Sequence, residues 1–268
     1  MYSFEGQSIG LGSIANAREL GGYILPDGSR IRKGLLLRGG SLAKASQEDL
    51  GILAEKFRVS KVFDFRTAIE VQLAPDQEIR GAKNIWMPAF DEEMQTMEML
   101  SLPQEAYRNL ESWLPENSWR KGVQEVARAM YTQMVVNDFT QVQYAGFLMN
   151  VINTDEGAVY WHCSQGKDRT GLGAAFLLFA LGADRELVME DYAVSNEYYA
   201  EDLKKVMSKV STDEEKAVIQ TFIGVNCEYF SAALDLIDVK YGSMDNYLRS
   251  ALLLGDDDIA TLKRRYLE

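Results

Sequence analysis

The segment Ala158-Val159-Tyr160-Trp161-His162-Cys163-Ser164-Gln165-Gly166-Lys167-Asp168-Arg169-Thr170-Gly171, continued by the apolar run to Leu181, sets a strand, a polar loop and a helix in series. Ala158 to Trp161 has the length and apolarity of a short buried strand. Gly171 to Leu181 is apolar all round, which marks a helix buried on every side. A loop between such elements points its backbone N–H groups at a common centre, and the helix N-terminus adds partial positive charge there. An anion is the natural occupant, and a phosphoryl group with three equatorial oxygens suits the cradle.

The residue types supply a reaction. Cys163 stands where the loop begins, and a thiolate near a helix N-terminus and a cation is an activated nucleophile. Arg169 follows six residues later, at the mouth of the helix. Its planar fork can bind two phosphate oxygens and stabilise charge in the transition state. Ser164, Gln165, Gly166 and Lys167 form the substrate-binding wall, with Gly166 letting the backbone turn close to the ligand. Thr170 can donate its hydroxyl to the thiolate and help Cys163 leave in a second step. His162 is the only histidine in the chain and fits a supporting role, fixing the loop or tuning the thiol. Cys227 falls in a helical pattern without such a setting and reads as ordinary packing. A Cys-x5-Arg spacing alone arises by chance; the ten-residue segment between strand and buried helix is far more specific.

Outward from this loop, the first half mixes strands and helices. Gly22 to Leu25 and Ile31 to Leu37 flank the turn Pro26-Asp27-Gly28-Ser29, which predicts a hairpin. Ser46 with Asp49 three residues on reads as a capping box opening a helix to Phe57. Val59 to Phe65 and Lys83 to Met87 read as buried strands. Between Asp91 and Trp119 the pattern loosens, Met94, Met97 and Met99 cluster, and Pro103 and Pro115 interrupt any long helix. A lid or helical insertion over about 91–120 and an ordinary surface excursion fit that stretch equally well. Gly122 to Val135 and Thr140 to Ile152 read as helices, as do Asp184 to Tyr199, Asp213 to Phe222, Cys227 to Lys240, Ser243 to Leu254 and Asp256 to Tyr266. Strands early and helices late, around one strand–loop–helix, predict a single α/β domain over 1–268 with a helix-rich C-terminal half.

The chain has 268 residues and a net charge of -12. Nucleic acid is an unsuitable partner, because phosphate backbones require a basic surface. Net charge does not favour an anionic membrane either, and the longest apolar run is far too short to span a bilayer. Two cysteines in a chain of this length do not make a disulfide framework. With no signal-peptide pattern from Met1 to Gly10, a soluble cytoplasmic protein with free thiols is expected.

The loop resembles that of the protein tyrosine phosphatase superfamily. Its Gly166-Lys167-Asp168-Arg169-Thr170-Gly171 ending is similar to the bacterial group of the mycobacterial protein tyrosine phosphatase B type. The resemblance extends over nearly the whole chain. It takes in Asn16-Ala17-Arg18-Glu19-Leu20-Gly21-Gly22, Arg38 to Leu42 with Glu48-Asp49-Leu50, Phe63-Asp64-Phe65-Arg66-Thr67, Asp191-Tyr192 with Ser195-Asn196, and Tyr241-Gly242-Ser243 with Tyr247-Leu248. Glu19 for aspartate and Gly39-Gly40 after Arg38 are departures, but no loop residue is lost. The resemblance implies a phosphatase-like α/β fold with a central sheet flanked by helices. It also implies a phospho-cysteine intermediate, no metal and no cofactor, and phosphotyrosine proteins or phosphoinositides as substrates.

The leaving-group acid is less clearly marked, because the family's usual Trp-Pro-Asp tripeptide is absent. Asp168, in the loop as in the myotubularin lipid phosphatases, is the first candidate. Asp64 is the second, although pairing with Arg66 or capping the backbone explains it equally well. Asp91 and Asp138 complete the set. Lys167 adds a cation that hints at polyanionic substrates, and Arg18, Arg38 and Arg66 either widen a basic cleft or hold the fold through ion pairs. Two other functions remain open at this level: sulfur transfer of the rhodanese type, and a phosphate-binding module without turnover. The loop length to Arg169 and the following Thr170-Gly171 favour phosphate chemistry over both.

Overall fold

The computed structural model describes residues 7–91, 94 and 123–268. The possible lid over 91–120 lies outside them, apart from Asp91 and Met94. Among the described residues five strands form one sheet: β1 (Arg18–Glu19), β2 (Leu36–Gly39), β3 (Lys61–Asp64), β4 (Lys83–Trp86) and β5 (Val159–His162). Their order across the sheet is β1-β2-β5-β3-β4, with β1 antiparallel to β2 and the other neighbours parallel. The register sets Gly39, His162 and Asp64 side by side at the carboxyl ends of the three central strands. The crevice beyond the carboxyl ends is where open parallel sheets place their ligands.

Period-two alternation divides the strand side chains between two cores. Val159 and Trp161 of β5 join Leu36 and Phe63 on one face, and Ala158 and Tyr160 join Leu37 and Val62 on the other. The second face is closed by Leu50 and Leu53, from α1 (Gln47–Gly51) and the π-helical turn Ile52–Lys56 that continues it. After β3 comes α2 (Ala68–Leu73). The first face is covered mainly from the C-terminal half, by α3 (Val123–Val136), α4 (Asp138–Ile152), α5 (Asp168–Leu181), α6 (Arg185–Ala193) and, after α7 (Ser195–Tyr198), α8 (Ala200–Met207) and α9 (Asp213–Phe222), by α10 (Cys227–Tyr241), α11 (Met244–Ser250) and α12 (Asp256–Tyr266), while α8 and α9 pack a small core of their own. The helix starts are chemically marked. Asn137, Asp184, Thr212 and Asn226 each accept a backbone N–H of the helix they open. The buried α5 ends on left-handed Gly182.

Several sequence expectations change in detail. The hairpin reduces to one bridge, Ile24 to Arg30, and the sheet strand begins only at Leu36. Ser46 does accept the Asp49 N–H, but the Asp49 carboxylate turns away to Gly12 and Ser13, so only half of the capping box forms. Lys83–Trp86 is an edge strand with three of its four residues exposed rather than a buried one, because nothing described pairs beyond it. The predicted helix 184–199 is broken into α6 and α7, and α8 follows where none was expected. The two residues of β1 carry too little pattern to be read. Most relevant to the site, α5 begins at Asp168, so Asp168, Arg169 and Thr170 form its first turn.

Gly166 is fixed by two constraints at once. Its φ is +69°, and a Cβ there would run into the backbone of Gly39 at the end of β2. Gly166→Ala is expected to destabilise the protein by about 1–3 kcal/mol from the backbone angle alone, with more from the clash. Urea unfolding measures this; wild-type stability in the variant would contradict the close approach of loop and strand.

Candidate active site

The loop between β5 and α5 is held by its carbonyls. His162 Nδ1 lies 3.2 Å from the Cys163 carbonyl, Ser41 N–H donates to Ser164 (3.2 Å), and Tyr199 O–H donates to Gln165 (2.6 Å). Asn16 Nδ2 and Arg38 Nη2 donate to Gly166 (2.9 and 3.0 Å), and Gly171 N–H to Lys167 (2.7 Å). Five successive carbonyls thus face outward. The N–H groups of Ser164 through Asp168 take no protein acceptor among the described residues. Buried backbone donors are seldom left orphaned, and donors converging above a helix N-terminus form an anion-binding nest. Cys163 sits at the start of this ring, 2% exposed. Thr170 Oγ1 is buried with no described partner.

Arg169 is set by Glu70, a residue the sequence reading did not single out. Glu70 Oε2 and Oε1 take Nη1 and Nη2 at 2.5 and 2.8 Å, and Ser164 Oγ donates to Oε1. Phe90 lies against the guanidinium, 4.9 Å from ring centre to Cζ. Glu70 is itself placed by a full capping box with Thr67: Thr67 N–H donates to Oε2 (2.8 Å) and Glu70 N–H to Thr67 Oγ1 (3.3 Å). Burial pushes the Glu70 carboxyl up, but the Arg169 charge and the bonds from Arg169, Ser164 and Thr67 outweigh it and hold the pKa at about 2. The Thr67-x-x-Glu70 spacing was the signal available in the sequence.

Two buried charge clusters underlie the loop. Asp191 pairs with Arg18 Nε (3.3 Å) and Arg38 Nη1 (2.5 Å) and accepts from Tyr23 O–H (3.0 Å). Two cations on one carboxylate leave one positive charge in excess. Burial and the neighbouring Arg18 push the Arg38 pKa down to about 10. On the other side Arg66 Nη2 lies 2.7 Å from both Asp64 Oδ2 and Asp76 Oδ2. His162 Nε2 is 3.1 Å from Asp76 Oδ2, within ion-pair range though off the line of a good hydrogen bond. Burial pulls the His162 pKa down, yet Asp64 and Asp76 raise it overall. Asp64, Asp76 and His162 are close enough to share a metal ion, but the Arg66 guanidinium already bridges both carboxylates. Arg18, Arg38 and Arg66 therefore hold the fold and do not line a cleft. Asp64, which also accepts the Arg66 N–H (3.0 Å), is committed in the same way.

The other sequence candidates separate clearly. Asp168, at the N-terminus of α5, has the Tyr131 and Tyr192 hydroxyls (the latter at 3.2 Å) at Oδ1, the two phenols also hydrogen-bonding each other. Lys167 turns its ammonium away from the cradle, to the carbonyls of Phe222 (2.6 Å) and Gly224 (2.5 Å), with its side chain 2% exposed. That position does not match the substrate-binding role its place in the loop suggested. Asp91 binds Met94 N–H and Asn137 Nδ2, and Asp138 is an exposed first-turn residue of α4.

Removing one partner of a buried ion pair is costly. Glu70→Gln is expected to lose about 3–5 kcal/mol of stability at pH 7 and to raise KM by freeing Arg169. Since the folded pKa of Glu70 lies below the ordinary value, its contribution is present above about pH 4.5 and lost as pH falls toward 2. Wild type and variant should therefore converge in acid unfolding; a constant gap would contradict the pairing.

Residues 9–268 match the model of a tyrosine phosphatase family. A Cupriavidus necator protein whose name places it among the tyrosine-protein phosphatases is 30% identical over 262 residues, covering 95% of this chain and 86% of its own. The triple specificity protein phosphatase PtpB of Mycobacterium tuberculosis is 37% identical over 105 residues, 35% of this chain and 38% of its own. A tyrosine-protein phosphatase of Nostoc commune is 26% identical over 159 residues, 59% of this chain and 46% of its own. Among the described residues no helix is long and apolar enough to cross a membrane. A family match over nearly the full chain, with a relative 30% identical over 95% of it, makes this chain a member of the tyrosine phosphatase family, a hydrolase of phosphorylated substrates.

Proposed function

We propose that the chain hydrolyses phosphomonoesters through a phospho-cysteine intermediate. Cys163 Sγ attacks phosphorus, the N–H groups of Ser164 to Asp168 and the Arg169 fork hold the equatorial oxygens, and the ester oxygen leaves with a proton from Asp168. Water then attacks phosphorus, forming a P–O bond as the S–P bond breaks and giving a proton back to Asp168, while Thr170 Oγ1 donates to the departing thiolate. The observation that carries this reading is the run of unpaired N–H groups bounded by Cys163 and Arg169. Family membership favours it over sulfur transfer.

Protein phosphotyrosine, with some tolerance for other phosphoresidues, is the substrate class best supported. A site for multiply phosphorylated inositides needs further cations around the cradle. Lys167 is spent on the Phe222 and Gly224 carbonyls, and Arg18, Arg38 and Arg66 are buried in ion pairs.

Cys163→Ser is expected to lower kcat on the order of 10⁴-fold or more and still bind vanadate, and chelators should leave the wild type unaffected. Near-normal turnover by the serine variant, or loss on chelation, contradicts the mechanism. Lys167→Ala should reduce turnover of a phosphotyrosine peptide and of phosphoinositides by similar factors. A loss confined to the multiply phosphorylated inositides would contradict the substrate assignment.

A further inference from the structure

Three helices converge on the Asp168 carboxylate. Tyr131 comes from α3 and Tyr192 from α6, and both rings are nearly inaccessible, at 5% and 1% exposure. Burial raises the pKa of both phenols well above the ordinary value, so each keeps its hydrogen and can donate. The two hydroxyls hydrogen-bond each other at 2.5 Å and both lie at the same oxygen, Asp168 Oδ1; with one hydrogen each, one phenol donates to Oδ1 and the other donates to that phenol. Neither ring is free to swing. Tyr192 stacks on Phe230 at 3.9 Å between centres and 11° between planes, and Tyr131 meets the edge of Tyr229 at 6.1 Å, both partners from α10. The Tyr192 ring also lies over Gly171, where a Cβ would approach within 2.9 Å of it. The last glycine of the loop segment is thus the space that admits Tyr192.

The other carboxylate oxygen is treated differently. Among the described residues no group hydrogen-bonds Asp168 Oδ2. Its nearest charged neighbour, Lys167 Nζ, is 4.0 Å away and already occupied by backbone carbonyls. The Asp168 side chain is 28% exposed, whereas the two tyrosines are sealed. One oxygen is therefore anchored, and the other is left without a hydrogen-bond donor among the described residues, on a side chain that solvent reaches.

We infer that Tyr131 and Tyr192 are positioning residues for the leaving-group proton: by occupying Oδ1 they assign the transferable proton to Oδ2 and fix its direction. This rests on Asp168 being the acid. In the first step the Cys163 S–P bond forms, the P–O ester bond breaks, and the Oδ2 proton passes to the departing oxygen. The charge left on Asp168 is stabilised by the phenol that donates to Oδ1, which the second phenol polarises by donating to it. In the second step the attacking water returns a proton to Oδ2 as the S–P bond breaks. A proton donor must sit within hydrogen-bond reach of the atom it serves, and small misplacements are costly in rate, so both hydroxyls enter the rate without touching substrate.

The test is a double-mutant cycle read on two substrates, an activated aryl phosphate and an alkyl phosphate whose leaving group requires protonation. Asp168→Asn should cost about 10²-fold or more in kcat/KM, which reports the first step alone, on the alkyl phosphate and little on the aryl phosphate. Tyr131→Phe and Tyr192→Phe, which keep the rings, should each cost about tenfold in kcat/KM on the alkyl phosphate only. In the Asp168→Asn background neither should cost anything further. If Asp168→Asn lowers kcat/KM of both substrates equally, the acid assignment falls and this inference with it. If Asp168→Asn is selective but both phenylalanine variants slow the two substrates alike, or retain their full effect without Asp168, the acid stands and the positioning role is wrong.

Discussion

Each carbonyl from Cys163 to Lys167 is held from outside the loop, and the candidate site depends on that constraint. A peptide unit whose oxygen is tied outward presents its N–H inward, so the holders determine the cradle. Most come from distant parts of the chain: Asn16 before β1, Arg38 in β2, Ser41 just after it and Tyr199 after α7, while the neighbouring His162 and Gly171 hold the two ends. The parallel register that aligns Gly39, His162 and Asp64 makes these contacts possible. It brings the end of β2 so close to the loop that only glycine fits at position 166.

Below the loop the chain concentrates buried charge. A protein of net charge -12 appears ill suited to an anionic ligand, but net charge governs solubility and steering, not the potential inside one crevice. Arg18 and Arg38 share the single carboxylate of Asp191, leaving a positive excess against the Gly166 carbonyl. The Arg66 cluster with Asp64, Asp76 and His162 anchors the residue preceding Cys163. Such groups cannot also meet a substrate in solvent, which is why most of the cations noticed in the sequence drop out of the cleft.

The sequence made the central strand, the buried helix, and the order of Cys163 and Arg169 readable, because local periodicity and a contiguous loop suffice for those. What it hid depends on contacts across the fold. Glu70 lies 99 positions from Arg169, and its Thr67-x-x-Glu70 spacing reads only as a helix cap. Tyr131 and Tyr192 look like ordinary core aromatics until three helices converge on Asp168. Lys167 shows the opposite failure: its place in the loop suggests a phosphate ligand, and only the fold reveals the Phe222 and Gly224 carbonyls that take its ammonium. The exposed β4 and the broken helix after α6 were misread for a related reason, since edge position and a helix break depend on neighbours rather than on composition.

The most direct measurement is amide NMR of the Cys163→Ser protein titrated with inorganic phosphate. The expected result is a saturable shift of the Ser164, Gln165, Gly166, Lys167 and Asp168 N–H resonances together, with one dissociation constant shared by all five. Shifts confined to residues outside 163–170, or no saturable change in those five amides, would contradict the cradle on which the proposed chemistry rests.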